Sequence, residues 1–178
     1  MVSPSSTPPT RPRVIGFSGH RHLAHPGTGQ AITDALAALC GSEGRPPLSA
    51  LSSTAIGADF LFLEACEQLR VPVEILLPFP VEEFARDFTP EEWKTAEAHL
   101  ARAAQTRIFS GEERPGAYLT CGKAIVKGCD LFMVLWNGEP AAGVGGTAEL
   151  VAHARELGRP LLWIEAQTLE IRRERFPV

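Results

Sequence analysis

Glycines and hydrogen-bonding side chains follow directly on an apolar run in the segment 130–155. The run, Leu131–Trp136, is short, continuous and bounded by polar residues, which is typical of a strand buried on both faces of a parallel sheet. A glycine-rich loop behind such a strand lets the backbone approach an anion, and a helix that begins there points N–H groups and a positive dipole end at it. The residues expected to bind phosphate or carboxylate in this segment are Trp136, Asn137, Gly138, Gly143, Gly145, Gly146 and Thr147.

A second group with suitable chemistry follows the first predicted strand. Its members offer a hydroxyl, a tight turn, a proton donor and a planar guanidinium, which together suit phosphate or carboxylate; they are Ser18, Gly19, His20 and Arg21. A polar loop with exposed histidines is the alternative. The histidines at positions 20, 22 and 25 have no carboxylate in the same short segment, so we expect no metal site.

Two acidic residues are candidates at predicted helix starts. Gly57 and Asp59 follow the second strand and are expected to contact the ligand, although Asp59 can equally cap its helix. Glu149 is the candidate catalytic residue, because it lies two residues past Thr147 at a helix start. It also shares a helical stripe with His153, so a solvent-facing role is an equal alternative.

Strands and helices are predicted to alternate along the chain. The pattern gives strands near 14–18, 48–53, 73–77, 107–109, 131–136 and 161–164, with helices near 30–40, 58–69, 90–104, 117–127 and 147–157. This alternation predicts an α/β fold, a Rossmann-like three-layer sandwich with a mainly parallel, doubly wound sheet that binds ligands at the carboxyl ends of its strands. Residues 1–12, rich in Ser, Thr and Pro, are expected to be a disordered arm before a single domain at 13–178.

Composition limits the partners. Because the net charge is −4 and the pI is near 5.7, we expect a small-molecule ligand as partner, and neither nucleic acid nor a membrane. No apolar run approaches the roughly 20 residues that span a bilayer, and the four cysteines form no Cys-x-x-Cys pair, so we expect a cytoplasmic protein. No cofactor is indicated. The apolar helix at 58–69 makes a homodimer our expectation.

Two common phosphate motifs are absent from the sequence. No predicted strand is followed by Gly-x-Gly-x-x-Gly, and the stretch Gly116 to Lys123 departs from the Walker spacing and is followed by Ala124 where Ser or Thr should hold magnesium. A kinase or an NTPase is therefore disfavoured.

The motifs together resemble those of the SLOG superfamily over positions 13–165. They are Ser18-Gly19-His20-Arg21, Gly57-Ala58-Asp59, Leu77-Pro78-Phe79-Pro80, Cys129-Asp130, Trp136-Asn137-Gly138 and Gly145-Gly146-Thr147-Ala148-Glu149. This superfamily includes the lonely-guy phosphoribohydrolases, lysine-decarboxylase-like proteins and DprA. The resemblance implies a Rossmann-like domain that binds a nucleotide or a nucleotide-derived ligand.

The sequence departs from the hydrolase members of that superfamily at the acid. Phosphoribohydrolases carry Pro-Gly-Gly-x-Gly-Thr-x-x-Glu, whereas here Glu149 comes one residue early and Leu150 occupies the expected position. The upstream Arg-Lys pair is reduced to Gly122-Lys123. These departures favour a ligand-sensing module without turnover. An N-glycosidase acting on nucleoside 5′-monophosphates and a non-catalytic interaction protein with a vestigial pocket are the alternatives.

Overall fold

The fold is built on a single seven-stranded sheet with helices on both faces. The computed structural model describes residues 13–40, 49–109, 114–140 and 146–174. The strands are β1 (Val14–Gly19), β2 (Ser49–Ser52), β3 (Val73–Leu77), β4 (Gln105–Ile108), β5 (Leu131–Trp136), β6 (Leu161–Glu165) and β7 (Ile171–Glu174). They lie in the order β4-β3-β2-β1-β5-β6-β7, and only β7 is antiparallel to its neighbour. The predicted three-layer, mainly parallel α/β fold is confirmed.

Six α-helices connect the strands in the described ranges. They are α1 (Thr28–Cys40), α2 (Ala58–Gln68), α3 (Val81–Phe84), α4 (Pro90–Arg102), α5 (Arg114–Gly128) and α6 (Thr147–Glu156), and a 3₁₀ turn at Ala85–Asp87 follows α3. The start of α4 is fixed by its sequence: Thr89 Oγ1 accepts from the Glu92 N–H at 3.3 Å, and Glu92 Oε2 accepts from the Thr89 N–H at 2.7 Å. This reciprocal pair is a capping box.

The central strands contribute side chains to a separate core on each face. In β5, Met133 and Leu135 pack in the core beneath α1 and α2, whereas Phe132, Val134 and Trp136 pack in the core beneath α5 and α6. Alternation along an extended strand sends successive side chains to opposite faces, so a continuous apolar run is what a strand buried on both faces requires.

Strand order reverses between β1 and β5, and this determines where a ligand can bind. From β1 the chain builds outwards to β2, β3 and β4, then returns to place β5 on the other side of β1. The crossovers on the two sides leave in opposite directions, so a crevice opens beyond the carboxyl ends of β1 and β5. The loops after Gly19 and Trp136, both singled out from the sequence, meet there.

Two elements were not predicted, and both are short. Strand β7 reads Ile-Arg-Arg-Glu, is largely exposed and pairs only with β6, so it carries no apolar pattern. Helix α3 is a single turn that begins after Pro80. Short edge elements depend on tertiary pairing rather than on local periodicity. The predicted N-terminal arm at 1–12 lies outside the described residues, and the single-domain expectation for 13–178 stays a prediction.

Candidate functional site

A cavity of about 490 Å³ lies at the carboxyl edge of the sheet, where the strand order reverses. That volume falls within the range of pockets that hold a small ligand. Its wall combines residues from β1 and β5, from the starts of α2 and α6 and from the middle of α5. The polar and charged residues that line it are Ser18, His20, Arg21, Ser53, Asp59, Tyr118, Asn137, Glu139 and Thr147.

The loop after β1 is held in place by close backbone packing. A side chain at Gly19 would bring its Cβ within 2.5 Å of Ala58 Cβ, so only glycine fits there. The Ala58 N–H donates to the His20 carbonyl at 3.0 Å, which ties this loop to the start of α2. Gly57 lies outside the cavity wall, and its φ of 92° places its α-carbon against the Arg21 carbonyl. Both glycines are thus accounted for by packing between the two loops.

His20 links the two loops that flank the point of reversal. Its Nε2 accepts a hydrogen bond from the Asn137 N–H at 3.0 Å. Because Nε2 is the acceptor, that nitrogen carries no proton, so any proton that His20 donates to a ligand comes from Nδ1. Asn137 Oδ1 in turn accepts from the Glu139 N–H at 3.1 Å. The hydrogen bond between Asn137 and His20 holds the loop after β1 against the loop after β5.

Arg21 is the cation of this cavity wall. Its side chain is exposed, and within the described ranges it has no hydrogen bond or ion pair, although its charge acts on Asp59. The other arginines near this edge are engaged: Arg114 pairs with Asp87 at 2.6 Å, and Arg107 pairs with Glu74 at 2.7 Å. A guanidinium without a carboxylate partner is available to an anionic ligand.

Asp59 is the buried acid of the cavity. It is 5% exposed; its Oδ2 accepts from the Ala55 N–H at 3.3 Å, and its Oδ1 has no partner among the described residues. Burial is the main cause that raises its pKa to about 7, while the Ala55 N–H, Arg21 and the Gly19 N–H act in the opposite direction. Ala55 precedes α2, so this hydrogen bond is not a helix cap, and the capping role considered from the sequence is not what Asp59 does.

Helix α6 begins at the opposite wall of the cavity. Gly146 is its N-cap, with no side-chain cap, and both Gly146 and Thr147 line the cavity. The first N–H groups of an α-helix have no partner within the helix, so this end favours an anion. Gly143 and Gly145 lie outside the described residues. Glu149 is half-buried in the first turn and is not among the described residues that line the cavity.

Trp136 lines one side of the cavity, but most of its side chain is buried in the core. It is 8% exposed, its Nε1 donates to the Glu139 carbonyl at 2.9 Å, and its ring lies 5.0 Å from that of Trp163. Gly138 turns the chain behind it with a φ of 81° and faces Trp163, outside the cavity wall. The Trp136 ring can therefore offer an edge to a ligand, not a full stacking face.

Solved structures with a similar fold were found, while no family model and no curated protein matches the sequence. The X-ray structure of DNA processing protein A (DprA) from Streptococcus pneumoniae aligns with a TM-score of 0.64 and 16% identity over 88% of this chain and 51% of that one. DprA from Helicobacter pylori aligns with a TM-score of 0.59 and 16% identity over 86% and 65%. The chain has a Rossmann-like fold similar to that of these two proteins. It spans between half and two thirds of these DprA chains.

The expectation that nucleic acid is excluded as a partner is wrong. The Helicobacter pylori protein, which has a similar fold, is described with a single-stranded DNA binding mode. The physical reason is that net charge averages over the whole surface, whereas recognition depends on the local distribution of charge. An overall charge of −4 therefore does not exclude a strand of nucleic acid from this edge of the sheet.

A network at the mouth of the cavity was missed by sequence reasoning. The Tyr118 hydroxyl donates to Asp87, which also accepts from Arg114, and the Arg114 guanidinium lies 4.7 Å from the centre of the Phe79 ring. Burial is the first cause that raises the pKa of Tyr118 to about 12, followed by its bond to Asp87. Asp87 lies 27 positions before Arg114, and no local pattern signals so distant a contact.

The described residues contain neither a cluster suited to a metal ion nor a helix suited to span a membrane. No group of three or more His, Cys, Asp or Glu side chains there is arranged to hold a metal ion. In the same part of the chain, no helix combines the length and apolar character needed to cross a membrane.

Proposed function

We propose that this protein binds a nucleoside monophosphate in the cavity between β1 and β5 and serves as a ligand-sensing module that leaves the nucleotide intact. The observation that carries the proposal is that one cavity of about 490 Å³ is lined by Arg21, which has no ion pair among the described residues, and by the start of α6 at Gly146, which has no side-chain cap among them. Both features favour an anion. The rest of the wall supplies polar groups for the nucleoside.

The position of the candidate acid supports binding without hydrolysis. Hydrolysis of a glycosidic bond needs a carboxylate beside the sugar carbon that reacts. Glycosidases use a pair of carboxylates at that carbon, and Glu149, the acid in the hydrolase-like motif, is not among the described residues of the cavity wall, so Asp59 is the buried acid there without Glu149 as a second.

Nucleotide binding is tested by calorimetry with a panel of nucleoside 5′-monophosphates and the matching nucleosides. Each monophosphate that binds should do so at least tenfold more tightly than its nucleoside, because the charge-assisted contacts go to phosphate. Chromatography of the same mixtures should show no free base. Equal affinity for both members of each pair would remove the phosphate assignment, and released base would establish the N-glycosidase instead.

A short single-stranded oligonucleotide belongs in the same panel because of the fold that this chain shares with DprA. If the site takes a mononucleotide, the oligonucleotide should bind no more tightly per site than a monophosphate that carries its terminal base. Affinity for the oligonucleotide that exceeds every monophosphate by a hundredfold, with a steep dependence on salt, would indicate a strand-binding protein.

Replacing Arg21 with alanine should weaken monophosphates about 10- to 100-fold while changing nucleosides by less than threefold, since a charge-assisted hydrogen bond contributes roughly 1.5–3 kcal/mol. Arg102→Ala is the matched control, because it removes one exposed arginine whose partner is Glu67 and which lies outside this cavity wall. Titrations of the three proteins at a single ionic strength make the comparison. Parallel losses for monophosphates and nucleosides in Arg21→Ala would mean that Arg21 supports the loop rather than the ligand.

A further inference from the structure

The β2–α2 loop brings unpaired polar atoms together beside the cavity. Ser52 Oγ, Thr54 Oγ1 and Asp59 Oδ1 are all buried and lack a hydrogen-bond partner among the described residues. Buried polar groups nearly always have a hydrogen-bond partner, so three atoms without one, within eight positions from the end of β2 to the start of α2, require an explanation. Asp59 is the member of the three that lines the cavity, and its neighbours Ser53 and Ala55 line it as well. A ligand group can therefore reach Asp59.

The chemistry of that ligand group follows from what Asp59 lacks. A carboxylate accepts hydrogen bonds and does not donate them, so its free oxygen needs a donor. The cation on this wall, Arg21, is exposed and forms no ion pair with it. The Ala55 N–H, at 3.3 Å, donates to Oδ2, and the Gly19 N–H also lowers the pKa of the carboxyl, while Oδ1 has no hydrogen-bond partner among the described residues. A neutral hydroxyl on the ligand would satisfy Oδ1 without adding a charge to a buried site.

The position of Asp59 selects which part of a nucleotide can supply the hydroxyl. Arg21 belongs to the same loop as Gly19, and both the Arg21 charge and the Gly19 N–H act on the Asp59 carboxyl. A phosphate bound by Arg21 is therefore close to Asp59. In a nucleotide the group adjacent to the phosphate is the sugar, and the base lies farther away.

We propose that the Asp59 carboxylate accepts a hydrogen bond from the 2′- or 3′-hydroxyl of the nucleotide sugar and makes affinity depend on that hydroxyl. This inference rests on the proposed nucleotide site. It identifies the ligand class as hydroxylated sugar phosphates and makes Asp59 the residue that distinguishes them from their deoxy analogues. A protein that contacts 2′-hydroxyls also distinguishes ribose from deoxyribose.

Proton release is the signature that separates this role from a purely structural one. Without ligand, burial raises the pKa of Asp59 to about 7, so at pH 6 the carboxyl is mostly protonated. A hydroxyl that donates to the carboxylate favours the charged form and lowers the pKa. Binding at pH 6 should then release a proton from part of the Asp59 population, and binding at pH 8, where the carboxyl is already mostly ionised, should release almost none from it.

Other titratable groups near Asp59 must be separated from it. They come from the loop after β1, from α5 and from the turn after β5, and they are His20, Arg21, Tyr118, Cys121 and Glu139. The phosphate of the ligand also titrates near pH 6. All of these groups remain in Asp59→Asn, so the difference in proton release between wild type and this variant isolates the carboxyl.

The test is calorimetry at pH 6 and pH 8 in buffers of different ionisation enthalpy. The ligands are ribonucleoside 5′-monophosphates and their 2′-deoxy and 3′-deoxy analogues, and the proteins are wild type, Asp59→Asn and the control Asp34→Asn, which changes an exposed acid on α1. In wild type and Asp34→Asn, loss of one of the two hydroxyls should weaken binding more than tenfold. In Asp59→Asn the deoxy analogues should bind within threefold of the ribonucleotides, and the part of the proton release at pH 6 that comes from Asp59 in wild type should be lost.

The outcomes distinguish this inference from the proposed function. Nucleotide binding with no preference for either hydroxyl, or with equal proton release in wild type and Asp59→Asn, overturns the role of Asp59 and leaves the nucleotide site standing. Uptake of a proton at pH 8 by wild type and not by Asp59→Asn would mean that Asp59 donates to the ligand, and this also overturns the inference. No binding of any nucleotide overturns both.

Discussion

Asp59→Asn is expected to remove a loss of stability that the wild-type protein suffers as pH rises from 4 to 8. A carboxyl whose pKa rises from 3.8 to about 7 on folding binds a proton more tightly in the folded state than in the unfolded state. The stability that this difference contributes is complete below pH 3.8 and declines as pH rises through 7. The two pKa values correspond to about 4 kcal/mol, which is a large part of a typical unfolding free energy.

Urea unfolding of both proteins at intervals between pH 4 and pH 8 measures this effect. The free energy of unfolding of wild type minus that of Asp59→Asn should fall by as much as about 4 kcal/mol over the range. The difference is the useful quantity, because the buried amide has its own hydrogen-bonding cost that does not depend on pH. A difference that stays constant within about 0.5 kcal/mol would show that Asp59 is ionised throughout, so that the proposed proton release cannot arise from it.

The central strands could be predicted because burial on both faces leaves a pattern in the sequence. Leu131–Trp136 is apolar at every position, and the structure distributes its side chains between two cores. Helix α4 was predicted from 90, and its capping box begins at Thr89. Strand β4 lies at 105–108 where 107–109 was predicted, because all four of its side chains are exposed and no periodicity marks its ends.

The candidate site could be predicted in its location and not in its chemistry. Glycines after β1 and before α6 indicated which loops meet, since the carboxyl ends of parallel strands share one edge. The pKa of Asp59 depends on its burial and on opposing effects of Ala55, Arg21 and Gly19, the last two from the loop after β1, so no local rule gives its value. The bond from Asn137 to His20 spans 117 positions, so its existence follows only from the sheet order.

Gly57→Ala is expected to destabilise the protein by about 3 kcal/mol or more and to abolish nucleotide binding in the protein that still folds. Gly57 has a φ of 92° and a ψ of −120°, a backbone conformation that side chains with a Cβ rarely adopt. A Cβ there would lie 2.3 Å from the Arg21 carbonyl oxygen and 2.7 Å from the His20 carbonyl oxygen. Both carbonyl oxygens belong to the backbone, so the clash can be removed only if the loop that carries Arg21 moves away from α2.

Gly158→Ala is the matched control, because Gly158 also has a positive φ, 63°, but nothing lies within 4 Å of the added Cβ. It should cost only about 1 kcal/mol, the price of the left-handed conformation alone. Urea unfolding and calorimetry on both variants separate conformational strain from the clash. If Gly57→Ala lost no more stability than Gly158→Ala and still bound monophosphates, the loop would have to be free to shift by more than an ångström, and the fixed position of Arg21 on which the nucleotide site depends would have to be abandoned.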